Sequence, residues 1–192
     1  MKTAGMMFNL PNSLTWMRIV LIPLFIGVYF LPLPVHEQNL YATAAFVIAA
    51  LTDWLDGWLA RKLGQMSAFG AFLDPVADKL MVAAALVVLI QLDRTNAVIA
   101  FIIIGREIAI SALREWMARI GAAKSVAVSF VGKLKTTAQM IAIPLLLYHD
   151  DLLGLPIAVL GECLIWLAAL LTLWSMGYYL GKAWPEIRQR AL

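Results

Sequence analysis

Hydrophobic positions along the chain gather into six long blocks, at about 12–31, 38–60, 70–92, 95–118, 131–149 and 156–183. Each approaches or exceeds the roughly 20 residues that a helix needs to cross a bilayer core. The stretches between them are short and punctuated by Pro, Gly and polar residues: Leu31-Pro-Leu-Pro-Val-His36, Arg61 to Phe69, Asp93-Arg94-Thr95, Arg119 to Phe130, and His149 to Pro156. The pattern predicts an all-α integral membrane bundle of six transmembrane helices. Met1 to Asn12 forms a short N-terminal interfacial segment ahead of a retained first span. No tandem repeat, low-complexity tract or second domain is visible, so residues 1–192 read as one membrane domain.

Composition agrees. Of the 192 residues, 62% are apolar or aromatic and 14% are charged, against about 45–50% and 25% in soluble domains. No small-residue cleavage pattern precedes Leu31, so a removed signal peptide is not expected. The single cysteine, Cys163, has no partner for a disulfide and reads as a small buried apolar residue. The net charge of +3 suits anionic lipid, and no nucleic-acid partner is implied.

The distribution of Lys and Arg orients the bundle. Lys2, Arg18, Arg61, Lys62, Arg114, Arg119, Lys124, Lys133, Lys135, Lys182, Arg188 and Arg190 flank one side, whereas the three opposite loops hold only Arg94. The positive-inside rule places both termini in the cytoplasm. Most tryptophans, among them Trp16, Trp54, Trp58, Trp116 and Trp184, fall at span ends, as interfacial belts do. His36 and His149 read as solvated loop residues on the far side.

Four acids interrupt the pattern. The second block ends Asp53-Trp-Leu-Asp56-Gly57-Trp-Leu-Ala60-Arg61, and the third opens Gly70-Ala-Phe-Leu-Asp74-Pro-Val-Ala-Asp78-Lys79. Asp53, Asp56, Gly57 and Ala60 share one helix face, as do Asp74 and Asp78 on the next helix. Antiparallel neighbours would bring all four carboxylates together at the cytoplasmic edge. A carboxylate within a span costs a few kcal/mol, and four together repel one another. Hard divalent cations with oxygen ligands compensate both costs. Two facing carboxylate helices suit a pair of ions about 3.5–4 Å apart, as in phosphoryl chemistry. One such aspartate alone would more often be interfacial and solvated. Small residues alone would more often mean tight packing, but beside carboxylates they leave room for a flat polyphosphate ligand.

Basic residues form a second group. Arg106 lies within the fourth span, where a charge marks function by default. Ser111 and Arg114 follow it, Lys133, Lys135 and Thr136 open the fifth span, and Arg18 stands one turn into the first. Cations beside an acidic site suggest a pocket for an anionic group such as a phosphate. For Lys133, Lys135 and Arg119 the competing reading is ordinary positive-inside anchoring. Arg106 and Glu107 are adjacent and do not share a helix face, so little weight falls on their pairing.

Asp53-x2-Asp56-Gly57-x2-Ala60-Arg61-x8-Gly70-x3-Asp74-x3-Asp78 resembles the full signature of the CDP-alcohol phosphatidyltransferases. The resemblance implies six spans, a homodimer, and two divalent ions, Mg2+ or Mn2+, held by Asp53, Asp56 and Asp74. It makes Asp78 the catalytic base and also the fourth carboxylate of the metal site. It also implies a CDP-lipid pocket of Asn12, Thr15, Asp53, Gly57, Ala60, Arg61 and Gly70. Gly105-Arg106-Glu107 to Arg114, Ser125 to Ser129, Gly132-Lys133-Leu-Lys135-Thr136-Thr137 and Asn9-Leu-Pro-Asn12-Ser-Leu-Thr15-x2-Arg18 resemble the bacterial branch whose acceptor is sn-glycerol 3-phosphate. For that branch the donor is CDP-diacylglycerol, the compartment is the bacterial inner membrane, and the acceptor phosphate would meet Arg18, Arg106, Ser111, Arg114, Lys133, Lys135 and Thr136. Two alternatives stay open: a sister enzyme using inositol phosphate, serine or phosphatidylglycerol, and a divalent-cation carrier built on the same acids.

Overall fold

The computed structural model describes residues 10–63, 68–122 and 130–190. Among the described residues six helices carry the fold: α1 (Leu10–Gly27), α2 (Val35–Leu63), α3 (Ala68–Gln91), α4 (Ala97–Arg119), α5 (Phe130–Tyr148) and α6 (Ile157–Arg190). A turn of 3-10 helix, Val28–Phe30, extends α1. Apart from one isolated bridge, Leu152 with Leu155, the described residues hold no β-pairing.

The helices alternate in direction. The starts of α1, α3 and α5 therefore share one end of the bundle with the finishes of α2, α4 and α6. The predicted acids and cations all belong to that end. Phe25, Phe46, Leu86, Leu89, Ile103, Ile143 and Leu146 form the core between the helices. Ile110, Met117, Tyr179 and Ala183 form a smaller cluster between α4 and α6 nearer the functional end.

Helix boundaries follow local chemistry. Asn96 caps α4, its side chain accepting a hydrogen bond from the Val98 amide at 2.7 Å. The α2 helix begins at Val35, earlier than the apolar pattern predicts, because the Gln38 amide already bonds the Pro34 carbonyl at 3.1 Å. His36 consequently sits in the first turn of α2 rather than in a loop, with its Nδ1 2.7 Å from Asp150 Oδ2. The α6 helix runs past residue 183 and through Pro185, since Tyr179, Ala183 and Ile187 are held against α4. Pro23, Pro75 and Pro144 also lie within helices, which packed neighbours tolerate.

On length and composition, α1, α5 and α6 contain segments able to cross a membrane. The helices α2, α3 and α4 are the ones carrying Asp53 and Asp56, Asp74, Asp78 and Lys79, and Arg106, Glu107 and Arg114. These charges dilute the hydrophobic signal of α2, α3 and α4. Cys163 is exposed on α6, contrary to the expectation of burial. Apolar character does not imply an inward direction when a helix shows its outer face to lipid.

Far from the acids, Arg94 ties three elements together. Its guanidinium donates to the Leu147 and Leu146 carbonyls at 2.7 and 3.2 Å and to Asn39 Oδ1 at 2.7 Å. On the same side, α5 and α6 approach so closely that a Cβ on Gly161 would stand 2.9 Å from Leu146 Cγ and 3.1 Å from its backbone nitrogen.

Candidate active site

The acids meet on α1. Arg18, one turn beyond Thr15, spreads its guanidinium between two carboxylates: 2.6 Å to Asp53 Oδ1 and 2.5 Å to Asp56 Oδ2. The Thr15 hydroxyl donates to Asp74 Oδ1 at 2.6 Å. Thr15 and Arg18 are i, i+3 on α1 and share its face. One turn of α1 therefore touches three of the four acids, which lie on two different helices. Thr15 and Arg18 are each only 1% exposed. The side chain of Asp56 is 3% exposed and that of Asp53 is 41% exposed, so the cluster opens outward through Asp53.

Asp78 stands between two small cavities. One is bordered by Arg18, Asp53, Ala49 and Met81. The other, about 50 Å³, is lined by Asp78, Lys79, Glu107, Lys135, Thr136 and Gln139. A space that small holds water and little else. Among the described residues Asp78 thus borders both the carboxylate side and the cationic side of the site.

The predicted cations separate into three groups. Arg18 belongs with the acids. Arg106 and Lys135 are buried and meet at Glu107: Arg106 donates to Glu107 Oε1 at 3.3 Å, and the Lys135 ammonium pairs with the same oxygen across α4 and α5. Arg106 also donates to Ser175 Oγ on α6 at 3.1 Å. The guanidinium carbons of Arg106 and Arg114 lie 5.6 and 5.0 Å from the ring centre of buried Tyr179, within cation–π range. Lys133 is exposed, as is Thr136, whose hydroxyl donates to the Gly132 carbonyl at 3.0 Å. Ser111 is half-buried on α4. Of the CDP-lipid positions, Gly57 is half-buried and Gly70 buried. The side chains of Asn12, Ala60 and Arg61 lie outside the described residues, as do Lys2, Lys124 and the whole of 123–129.

Pairing of Arg106 with Glu107 corrects the helix-face argument. Adjacent residues do diverge at Cβ, but a guanidinium on a three-carbon stem curls back, and Glu107 is already held on that side by Lys135. Ser175 and Tyr179 are the partners that sequence reasoning passed over, and Glu107 is the one it discounted. Glu107 carried a signal, being an acid within an apolar block and among basic residues. Ser175 and Tyr179 carried none, since in α6 they fall within an apolar run.

A larger cavity lies elsewhere. It measures about 400 Å³ and is lined at the far end by residues that include Arg94, His149, Glu162 and Trp166. None of the acids or cations above borders it, so size does not locate this site.

The donor set fits a hard divalent ion in kind: oxygen atoms only, from carboxylates of neighbouring helices, two of them already gripping a positive group. With Arg18 between Asp53 and Asp56, no three His, Cys, Asp or Glu side chains close on one point among the described residues. The gathering is therefore one of charge, with the guanidinium seated at its centre.

Comparison with known proteins bears on the family. The sequence profile described as CDP-alcohol phosphatidyltransferase matches residues 8–174. The chain is 49% identical over 184 residues to the CDP-diacylglycerol–glycerol-3-phosphate 3-phosphatidyltransferase of Escherichia coli (strain K12), covering 95% of this chain and 98% of that protein. The protein of the same name from Shigella flexneri serotype 5b (strain 8401) matches to the same extent. A profile match over most of the chain and an identity of this size, on top of four acids brought to one end of a helical bundle, leave one conclusion: the chain belongs to the CDP-alcohol phosphatidyltransferase family.

Proposed function

We propose that the chain transfers the phosphatidyl group of CDP-diacylglycerol to sn-glycerol 3-phosphate, giving phosphatidylglycerophosphate and cytidine monophosphate. The observation that carries this reading is the position of Asp78, between the Arg18–Asp53 side and the buried Lys135–Glu107 side. An acceptor anchored by its phosphate near Lys135 and Arg106 would present its hydroxyl to Asp78. The nearby relatives bear the name of this reaction.

The mechanism follows from residue roles. The acceptor hydroxyl oxygen bonds to the lipid-side phosphorus of CDP-diacylglycerol, and Asp78 takes its proton. The bond from that phosphorus to the bridging oxygen breaks, and cytidine monophosphate leaves with the electron pair. Asp53, Asp56 and Asp74 would hold two Mg2+ or Mn2+ ions. When bound, such ions supply charge neutralisation to the pyrophosphate and its leaving group. Lys135 contributes a point charge and Arg106 and Arg114 planar forks, the combination that recognises phosphate.

In the same reading all six helices span the bacterial inner membrane, both termini face the cytoplasm, and the protein is a homodimer. The charge asymmetry among loops supports the orientation. It puts the acids at headgroup depth, where the donor's pyrophosphate lies while its tails stay in lipid.

The test is direct. Purified protein receives CDP-diacylglycerol, labelled glycerol 3-phosphate and Mg2+, with serine and inositol phosphate as competing acceptors. Lipid-soluble label should form from glycerol 3-phosphate and vanish with chelator. Preferential use of another acceptor, or turnover indifferent to chelation, overturns the corresponding half of the reading.

A further inference from the structure

The carboxylates Asp53 and Asp56 are already bridged by a positive group belonging to the chain. Both terminal nitrogens of Arg18 are engaged, at 2.6 and 2.5 Å, and its Nε has no hydrogen-bond partner. A guanidinium buried to 1% exposure and aimed at two acids is costly to place unless its charge is needed there. Any ion that bridges Asp53 and Asp56 must enter the same space, and its double charge repels the guanidinium at such range.

We propose that Arg18 is a resident counter-cation which the first divalent ion displaces. Resting on the metal role given to these acids above, Arg18 neutralises Asp53 and Asp56 while the site is empty and competes with the metal for them. Once pushed out, its fork remains one turn from Thr15 on α1 and is available to a substrate phosphate. Arg18 is thus a positioning residue that sets metal affinity, and it keeps the unloaded carboxylates from repelling one another.

The experiment titrates Mn2+ alone into purified wild-type protein and into Arg18→Gln and Arg18→Lys, following free Mn2+ by electron paramagnetic resonance, with thermal unfolding measured in chelator. Arg18→Gln should bind Mn2+ at least tenfold more tightly than wild type. It should also unfold at lower temperature in chelator and regain more stability on adding Mn2+ than wild type does. Arg18→Lys, a compact charge without the fork, should fall between the two and keeps the test open if Arg18→Gln fails to fold. Wild-type Mn2+ binding with unchanged or weaker binding in the Arg18 variants overturns the counter-cation and leaves the metal role standing. Absence of Mn2+ binding in wild type and both variants overturns the metal role itself.

Discussion

Glu107 offers the sharpest perturbation, because one oxygen faces two buried cations. Its Oε1 accepts from Arg106 at 3.3 Å and pairs with Lys135, whose side chain is 2% exposed, while the Glu107 side chain is 25% exposed. In Glu107→Gln the amide keeps the shape and one acceptor oxygen but removes the charge. Removing one partner of a fully buried pair costs about 3–5 kcal/mol. Since Glu107 keeps a quarter of its surface, roughly 2–3 kcal/mol is the appropriate figure. For a protein of this size each kcal/mol moves the melting temperature by about 2–4 °C, so a fall of roughly 4–12 °C is expected in detergent. The same substitution frees Lys135 and Arg106 for an incoming phosphate. Glycerol 3-phosphate should therefore stabilise Glu107→Gln more than wild type and bind it more tightly, with each tenfold in affinity worth about 1.4 kcal/mol. Differential scanning fluorimetry with and without glycerol 3-phosphate, alongside glycerol as a control, reads both effects. A variant that melts like wild type, or one that loses its response to glycerol 3-phosphate, refutes the idea that Glu107 holds the phosphate-binding cations in reserve.

Asp78→Asn should retain CDP-diacylglycerol binding and lose turnover, measured by label transfer; near-normal activity removes Asp78 from the chemistry. Lys135→Ala and Arg106→Ala should raise KM for glycerol 3-phosphate much more than KM for CDP-diacylglycerol, whereas Lys133→Ala, altering an exposed side chain, should change both little. Equal effects on both substrates in the buried pair would count against an acceptor pocket there. Gly161→Ala should lower stability by about 1–3 kcal/mol, since the new methyl presses on Leu146 at the end away from the acids. Its specific activity per folded molecule should stay at the wild-type level.

Much of this was legible in the residues. The spacing of Asp53, Asp56, Asp74 and Asp78 put them on facing helices because charge in an apolar run is conspicuous and helix geometry is regular. Helix number followed from the same contrast. Partnerships between helices were not legible, since they depend on side chains long enough to cross from one element to another. Arg18 stood among the presumed phosphate ligands because its sign, not its reach, was visible, and the structure instead sets it between Asp53 and Asp56. Tyr179 escaped notice because an aromatic ring in an apolar helix looks like packing until Arg106 and Arg114 are seen over it. Cys163 misled because inside and outside are equally greasy in a bilayer, so hydrophobicity loses its directional meaning.

The chain order of the Arg18 bridge bears on how such a charged site enters a membrane at all. Ribosomal synthesis delivers α1 first, and the 35 residues from Arg18 to Asp53 follow in roughly 2–7 s at about 5–20 residues per second. The guanidinium is therefore synthesised before the carboxylates with which it pairs. The wait of either charge for its mate is thereby limited to the time of that synthesis.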